Sequence, residues 1–211
     1  MTTYFDFDIL NNRMRYKLQT YLSEKEIKDF LRQPNRASLL GKRDFTILLL
    51  MLETGIRRDE LCNLKRGDLK IEDKKIWIHV WGKGGKQRKI PIKDRELIEA
   101  LQKYWEKAGI SNEPTQPMFL TIGKGGSKKI HALGHEAVRG IIKKYIKLAK
   151  INKSIHPHSL RHSFITHALR KSGDIVAVQV LAGHKSIQTT QVYLHTEDER
   201  MERAIEKLTS S

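Results

Sequence analysis

One cysteine, Cys62, stands among 211 residues. No internal disulfide can form, and no cysteine cage can hold a metal. Such usage fits a reducing compartment. Also missing is an apolar run of the roughly 20 residues needed to span a bilayer. The opening MTTYFDFDIL has no basic leader ahead of an apolar stretch and a small-residue cleavage site, so no secretory signal is expected. No internal repeat is visible. Acidic residues are comparatively scarce: 24 Asp and Glu against 40 Lys and Arg, a formal charge of +16. A solvated Lys-rich surface, as on a ribosome-associated protein, is the plain reading. An excess this large in a chain with a core more often marks a polyanionic partner, because Lys and Arg release counterions condensed on phosphates. The sequence has no basic amphipathic anchor with exposed aromatics, so nucleic acid is favoured over membrane. A cytoplasmic location follows.

What is present reads as a mostly helical α+β chain. Residues 1–20 lack periodicity and read as an arm or linker. Ser23 and Glu26 form a capping box that opens a helix through Leu31. The nearly all-apolar run FTILLLML predicts a buried helix from Arg43 to Glu53, broken by Gly55, and RRDELCNL restarts as a short one. KIWIHVW and KIPI flank the Gly-rich GKGGKQR and predict a hairpin over 75–92, within a small antiparallel sheet at about 69–92. Helical spacing returns over 94–108 and 134–150. The stretch 109–131 reads as loop, with MFLTI as a short strand inside it. Helical pieces follow at 158–172, 174–182, 186–193 and 197–208, with Asp174 and Ser186 as N-caps and breaks at Gly173 and Gly183.

Several residues carry potential chemistry. His158 and Arg161 are three apart and share a helix face, setting an imidazole beside a guanidinium that can fork two phosphate oxygens. The plainer reading of His158 is a helix-start or core histidine. His162 and His167 read as helix packing. Six of the nine histidines lie between 156 and 195, which raises zinc as a competitor. HSLRH lacks the glutamate of a metalloprotease helix, however, and a third ligand is absent, so no metal is assigned. In TGIRRDEL, Glu60 stands three residues after Arg57 and can fix its rotamer; a surface pair worth little is the alternative. Lys83 sits at the hairpin tip, where a solvated lysine is ordinary. Tyr193 lies nine positions after His184 in LAGHKSIQTTQVYLHT, where a core tyrosine is the common outcome.

Together these residues resemble the tyrosine recombinase family, the phage integrase and Xer-like proteins, from about Tyr21 to His195. T-G-x-R-x-x-E-L stands as Thr54-Gly55-Ile56-Arg57 with Glu60-Leu61, and the hairpin lysine of G-K-G-x-K-x-R falls on Lys83. H-x-L-R-H is His158, Leu160, Arg161 and His162. The L-G-H motif appears as Leu181-Ala182-Gly183-His184, with one alanine interposed. T-T-x-x-Y supplies Thr189, Thr190 and Tyr193.

The resemblance implies the family's catalytic-domain fold over 21–195, with 196–211 as a C-terminal helix or tail whose apolar stripe of Met201, Ala204, Ile205 and Leu208 packs either on its own domain or, as in the family, in trans on a neighbouring subunit. It implies site-specific cleavage and rejoining of double-stranded DNA through a 3′-phosphotyrosyl link, without cofactor, metal or ATP. Tyr193 would be the nucleophile, Arg57 and Arg161 the charge clamp, and His158 the proton acceptor. Lys83 would be the general acid, His184 a donor to a non-bridging oxygen, and Glu60 a support for the arginine. A homotetramer on paired DNA sites is the implied assembly. The family normally adds an N-terminal core-binding domain; about twenty residues precede the catalytic region here, so the sequence is either a piece of a longer protein or a minimal single-domain form. A type IB-like topoisomerase, a catalytically silent DNA-binding module and a basic ribosomal protein are the alternatives.

Overall fold

The computed structural model describes residues 20–82, 85, 87–123 and 128–183. The N-terminal arm, Lys83, His184, Ser186, Tyr193 and the helices expected over 186–193 and 197–208 lie outside the described residues.

Helix α1 (Glu24–Leu31) opens on Ser23, whose hydroxyl accepts from the Glu26 N–H while the Glu26 carboxylate accepts from the Ser23 N–H. Helix α2 (Leu39–Thr54) is longer than the apolar run predicts, because Ser38 caps it four residues earlier. Residues 43–52 of α2 are buried on every side, the pattern of a helix at the centre of a core. It packs against α4 (Arg95–Ala108) and α6 (Pro157–Ser172). The short helix α3 (Arg58–Asn63) follows α2 after the turn at Gly55, and α5 (His135–Leu148) and α7 (Ile175–Ala182) complete the helical set among the described residues.

A three-stranded antiparallel sheet interrupts the helices: β1 (Leu69–Glu72), β2 (Lys75–Trp81) and β3 (Gln87–Ile92), in that order. Ile78 and Val80 of β2, with Ile90 and Ile92 of β3, turn inward, as period-2 alternation requires. Trp77 and Lys89 lie on the outer face, the ammonium 5.0 Å from the ring centre.

In the region 109–131 the short strand expected within MFLTI forms as β4 (Leu120–Ile122), and it pairs with a strand that the loop reading omits, β5 (Lys128–Ala132). Burial explains β4: the Leu120 N–H donates to the Tyr104 hydroxyl, and the Leu120 carbonyl accepts from Arg43. Arg43 forks onto Asp44, which also accepts from the Tyr145 hydroxyl, so one buried polar cluster ties α2 to α5 and β4.

Among the described residues, no helix is long and apolar enough to cross a membrane. Cys62 is half-buried, and burial pushes its thiol up to about 11, far from a reactive thiolate.

The β1–β2 turn uses Asp73 and Lys74, both with positive φ (48° and 61°), as a two-residue hairpin turn requires. A lysine there carries backbone strain of about 1 kcal/mol. Lys74→Gly should therefore raise the thermal midpoint by about 2–4 °C in calorimetry.

Candidate active site

The site forms where three segments meet: the turn after α2, the start of α6 and the end of α7. Gly55 caps α2 in the left-handed region (φ 59°). A Cβ there would come within 2.3 Å of the Phe164 ring, so the position needs glycine both for its dihedral and for its close approach to α6. This turn sets Arg57 just ahead of α3.

Glu60 is 6% exposed, so its pairing with Arg57 is not the weak surface contact that the sequence allows. Its carboxylate accepts from the Arg57 N–H (2.8 Å) and from Arg57 Nη1 (3.0 Å). Arg88 of β3 forks onto the same carboxylate at 2.7 and 2.9 Å. Burial alone would raise the Glu60 carboxyl, but the Arg88 fork and the Arg57 backbone N–H outweigh it and bring the group to about 2.

Pro157 occupies the first helical position of α6, where its missing N–H costs nothing. The helix then carries His158 exposed and Arg161 buried one turn on. Arg161 Nη1 donates to the Gly55 carbonyl (2.6 Å), and Nη2 donates to the Ala182 carbonyl. His162 is buried edge-on to Tyr21, and the His167 ring meets the Leu22 carbonyl, so both serve packing as their spacing indicates.

Helix α7 begins on Asp174, which accepts from the Ala177 N–H, and ends at Gly183 in the left-handed region (φ 63°). Its last carbonyls have no partner within the helix. Three consecutive ones are taken by three arginines. Leu181 accepts from Arg88 Nε (3.1 Å), Ala182 from Arg161 Nη2, and Gly183 from Arg57 Nη2 (2.9 Å). Cations at the negative pole of a helix are favourable.

Arg57, His158 and Arg161 line one cleft of about 360 Å³, together with Arg139 and His156. Sequence reasoning thus names three of its residues and the buried Glu60 behind them. It passes over Arg88, although that arginine ends the G-K-G-x-K-x-R run, and over Arg139, which follows Glu136 by one helical turn without any motif. Among the described residues, no three His, Cys, Asp or Glu side chains come together as a metal site requires. Chemically, the cleft offers guanidinium edges and an exposed imidazole, which suits a doubly liganded oxyanion such as a phosphodiester.

Comparison with known proteins agrees. Residues 20–200 match the model of the phage integrase family. A tyrosine recombinase of Pseudothermotoga lettingae is 38% identical over 200 residues, covering 95% of this chain and 64% of the relative. The chain therefore spans somewhat less than two thirds of that relative. The solved XerH site-specific recombinase, bound to a palindromic difH substrate in a post-cleavage complex, superposes with a TM-score of 0.73 at 26% identity. That alignment covers 90% of this chain and 53% of XerH. The XerA recombinase structure gives 0.66 at 30% identity, covering 89% and 65%.

The depressed Glu60 carboxyl makes stability depend on pH. The unfolded chain, with a carboxyl near 4.5, binds the proton first as pH falls. The contribution is therefore complete above 4.5 and lost as pH drops toward 2, on the order of 3 kcal/mol in all. Urea unfolding across that window should show the slope in the wild type and a shallower one in Glu60→Gln.

Proposed function

The chain belongs to the phage integrase family of tyrosine recombinases, and from that membership we propose that it is the catalytic part of a site-specific DNA recombinase acting through a 3′-phosphotyrosyl intermediate. The observation that carries this reading is the convergence of Arg57 and Arg161 on adjacent carbonyls at the end of α7. Helix α7 leads directly into His184, and Tyr193 follows nine residues later.

In the proposed reaction, the Tyr193 oxygen attacks the scissile phosphorus as its proton passes to His158. The P–O bond to the 5′ oxygen breaks, and Lys83 donates a proton to that leaving oxygen. A 5′-hydroxyl of a second strand reverses the step. The ester energy stays in the adduct, so no nucleotide is consumed. Arg57 and Arg161 offset the charge that grows on the non-bridging oxygens, with His184 as a further donor. A free phenol has a pKa near 10, and the cationic clamp favours its phenolate. Glu60 holds Arg57 in place.

The proposed partner is double-stranded DNA, with a homotetramer on paired sites in which residues 197–208 dock into a neighbouring subunit. Residues 21–195 form the catalytic unit in this reading, and the location is cytoplasmic, at the nucleoid.

Tyr193→Phe should bind DNA as the wild type does and form no covalent complex on a nicked suicide substrate, read on a denaturing gel. Adduct formation by this variant would remove the nucleophile assignment. Arg161→Lys should slow single-turnover cleavage by about 100-fold or more, because a point charge cannot replace the fork; an undiminished rate would contradict the clamp.

A further inference from the structure

The Arg57–Glu60 pair poses an electrostatic problem. A buried carboxylate three residues from the arginine that must face an anion would, alone, close into a neutral ion pair with it. The guanidinium would then present little net charge to a phosphate. The geometry avoids this. Arg88 takes both Glu60 oxygens, with the shorter of the two bonds to Oε1 (2.7 Å against 3.0 Å for Arg57). The Arg57 guanidinium is left with one contact to the carboxylate and one to the Gly183 carbonyl, and the side chain is 37% exposed in the cleft.

Arg88 itself does not line that cleft. It enters from β3, where it pairs in register with Val80, and its Nε is held by the Leu181 carbonyl. A Cβ on Gly183 would lie 3.1 Å from its Cδ, so the chain at Gly183 closes it in on that side. We propose that Arg88 is a positioning residue that neutralises Glu60, so that Arg57 keeps its charge and its open edge for the substrate phosphate.

The inference rests on the reading that the cleft takes a phosphodiester. It assigns Arg88 a charge-balancing role distinct from that of a strut bracing the hairpin. A strut is worse off with each further deletion, whereas a charge balance is restored by removing the charge it balances.

The test uses the full chain as wild type, Arg88→Gln, Arg88→Lys, Glu60→Gln and the Arg88→Gln/Glu60→Gln double variant. Two quantities are read: the single-turnover rate of adduct formation on a suicide DNA, and the affinity for inorganic phosphate from thermal-shift titration. Arg88→Gln should lose about 100-fold in adduct rate, with DNA affinity within about threefold. It should also bind phosphate more weakly. The double variant should regain at least about tenfold of that rate and recover phosphate affinity, a coupling that independent sites do not show. Arg88→Lys, which keeps the charge without the fork, should stay within about tenfold of wild type.

A double variant no better than Arg88→Gln in both readouts would overturn the proposal. Should Arg88→Gln fail to fold, the lysine variant decides, and a 100-fold loss there overturns it equally. A wild type that forms no adduct would overturn the recombinase reading, and the phosphate titration would then judge Arg88 by itself.

Discussion

The C-terminal end of α7 is the interaction on which the site depends. Its carbonyls point out of the helix at the negative pole of the dipole, and Arg57, Arg88 and Arg161 reach them from three other segments. The dependence is mutual. Arg161 is 6% exposed, and a guanidinium that deep is tolerable only if its N–H groups are met by oxygen. In return, the helix end is fixed by three anchors.

Helix α2 is the frame for that arrangement. Its buried length orders the core, and its terminal Gly55 supplies both the turn that sets Arg57 and the carbonyl that holds Arg161. The two guanidiniums are therefore positioned before any anion arrives. Preorganised donors need no rearrangement as charge develops, which is the main way a site of fixed dipoles accelerates a displacement at phosphorus. With its carboxyl brought to about 2, Glu60 is ionised at neutral pH, so the support behind Arg57 does not titrate away there.

Much of this was legible in the sequence where a single residue does one local job. Ser23 and Asp174 cap the helices that their positions suggest, and Gly55, Gly173 and Gly183 end α2, α6 and α7. The β1–β2 turn was harder to read, because Asp73–Lys74 adopts positive φ without a glycine to signal it. Strand β4 lies within the expected MFLTI strand and is fixed by Tyr104 and Arg43 from distant segments, whereas its partner β5 was hidden by the Gly, Pro and Ser content of the region. The site divides the same way. Arg57, Glu60, His158 and Arg161 stand at short, meaningful spacings. Arg88 meets Glu60 across 28 residues and Leu181 across 93, and no local spacing encodes either contact. That Glu60 is buried, and so strong as a partner, is a tertiary fact as well.

The central claim is that the segment anchored by these arginines delivers a tyrosine oxygen to a DNA phosphorus. Its most direct test is to trap the protein on a nicked duplex, digest both components, and identify the modified peptide and its linkage by mass spectrometry. The account predicts a nucleotide joined through its 3′-phosphate to the peptide bearing Tyr193. A nucleotide on any other side chain, or one joined through a 5′-phosphate, would contradict it.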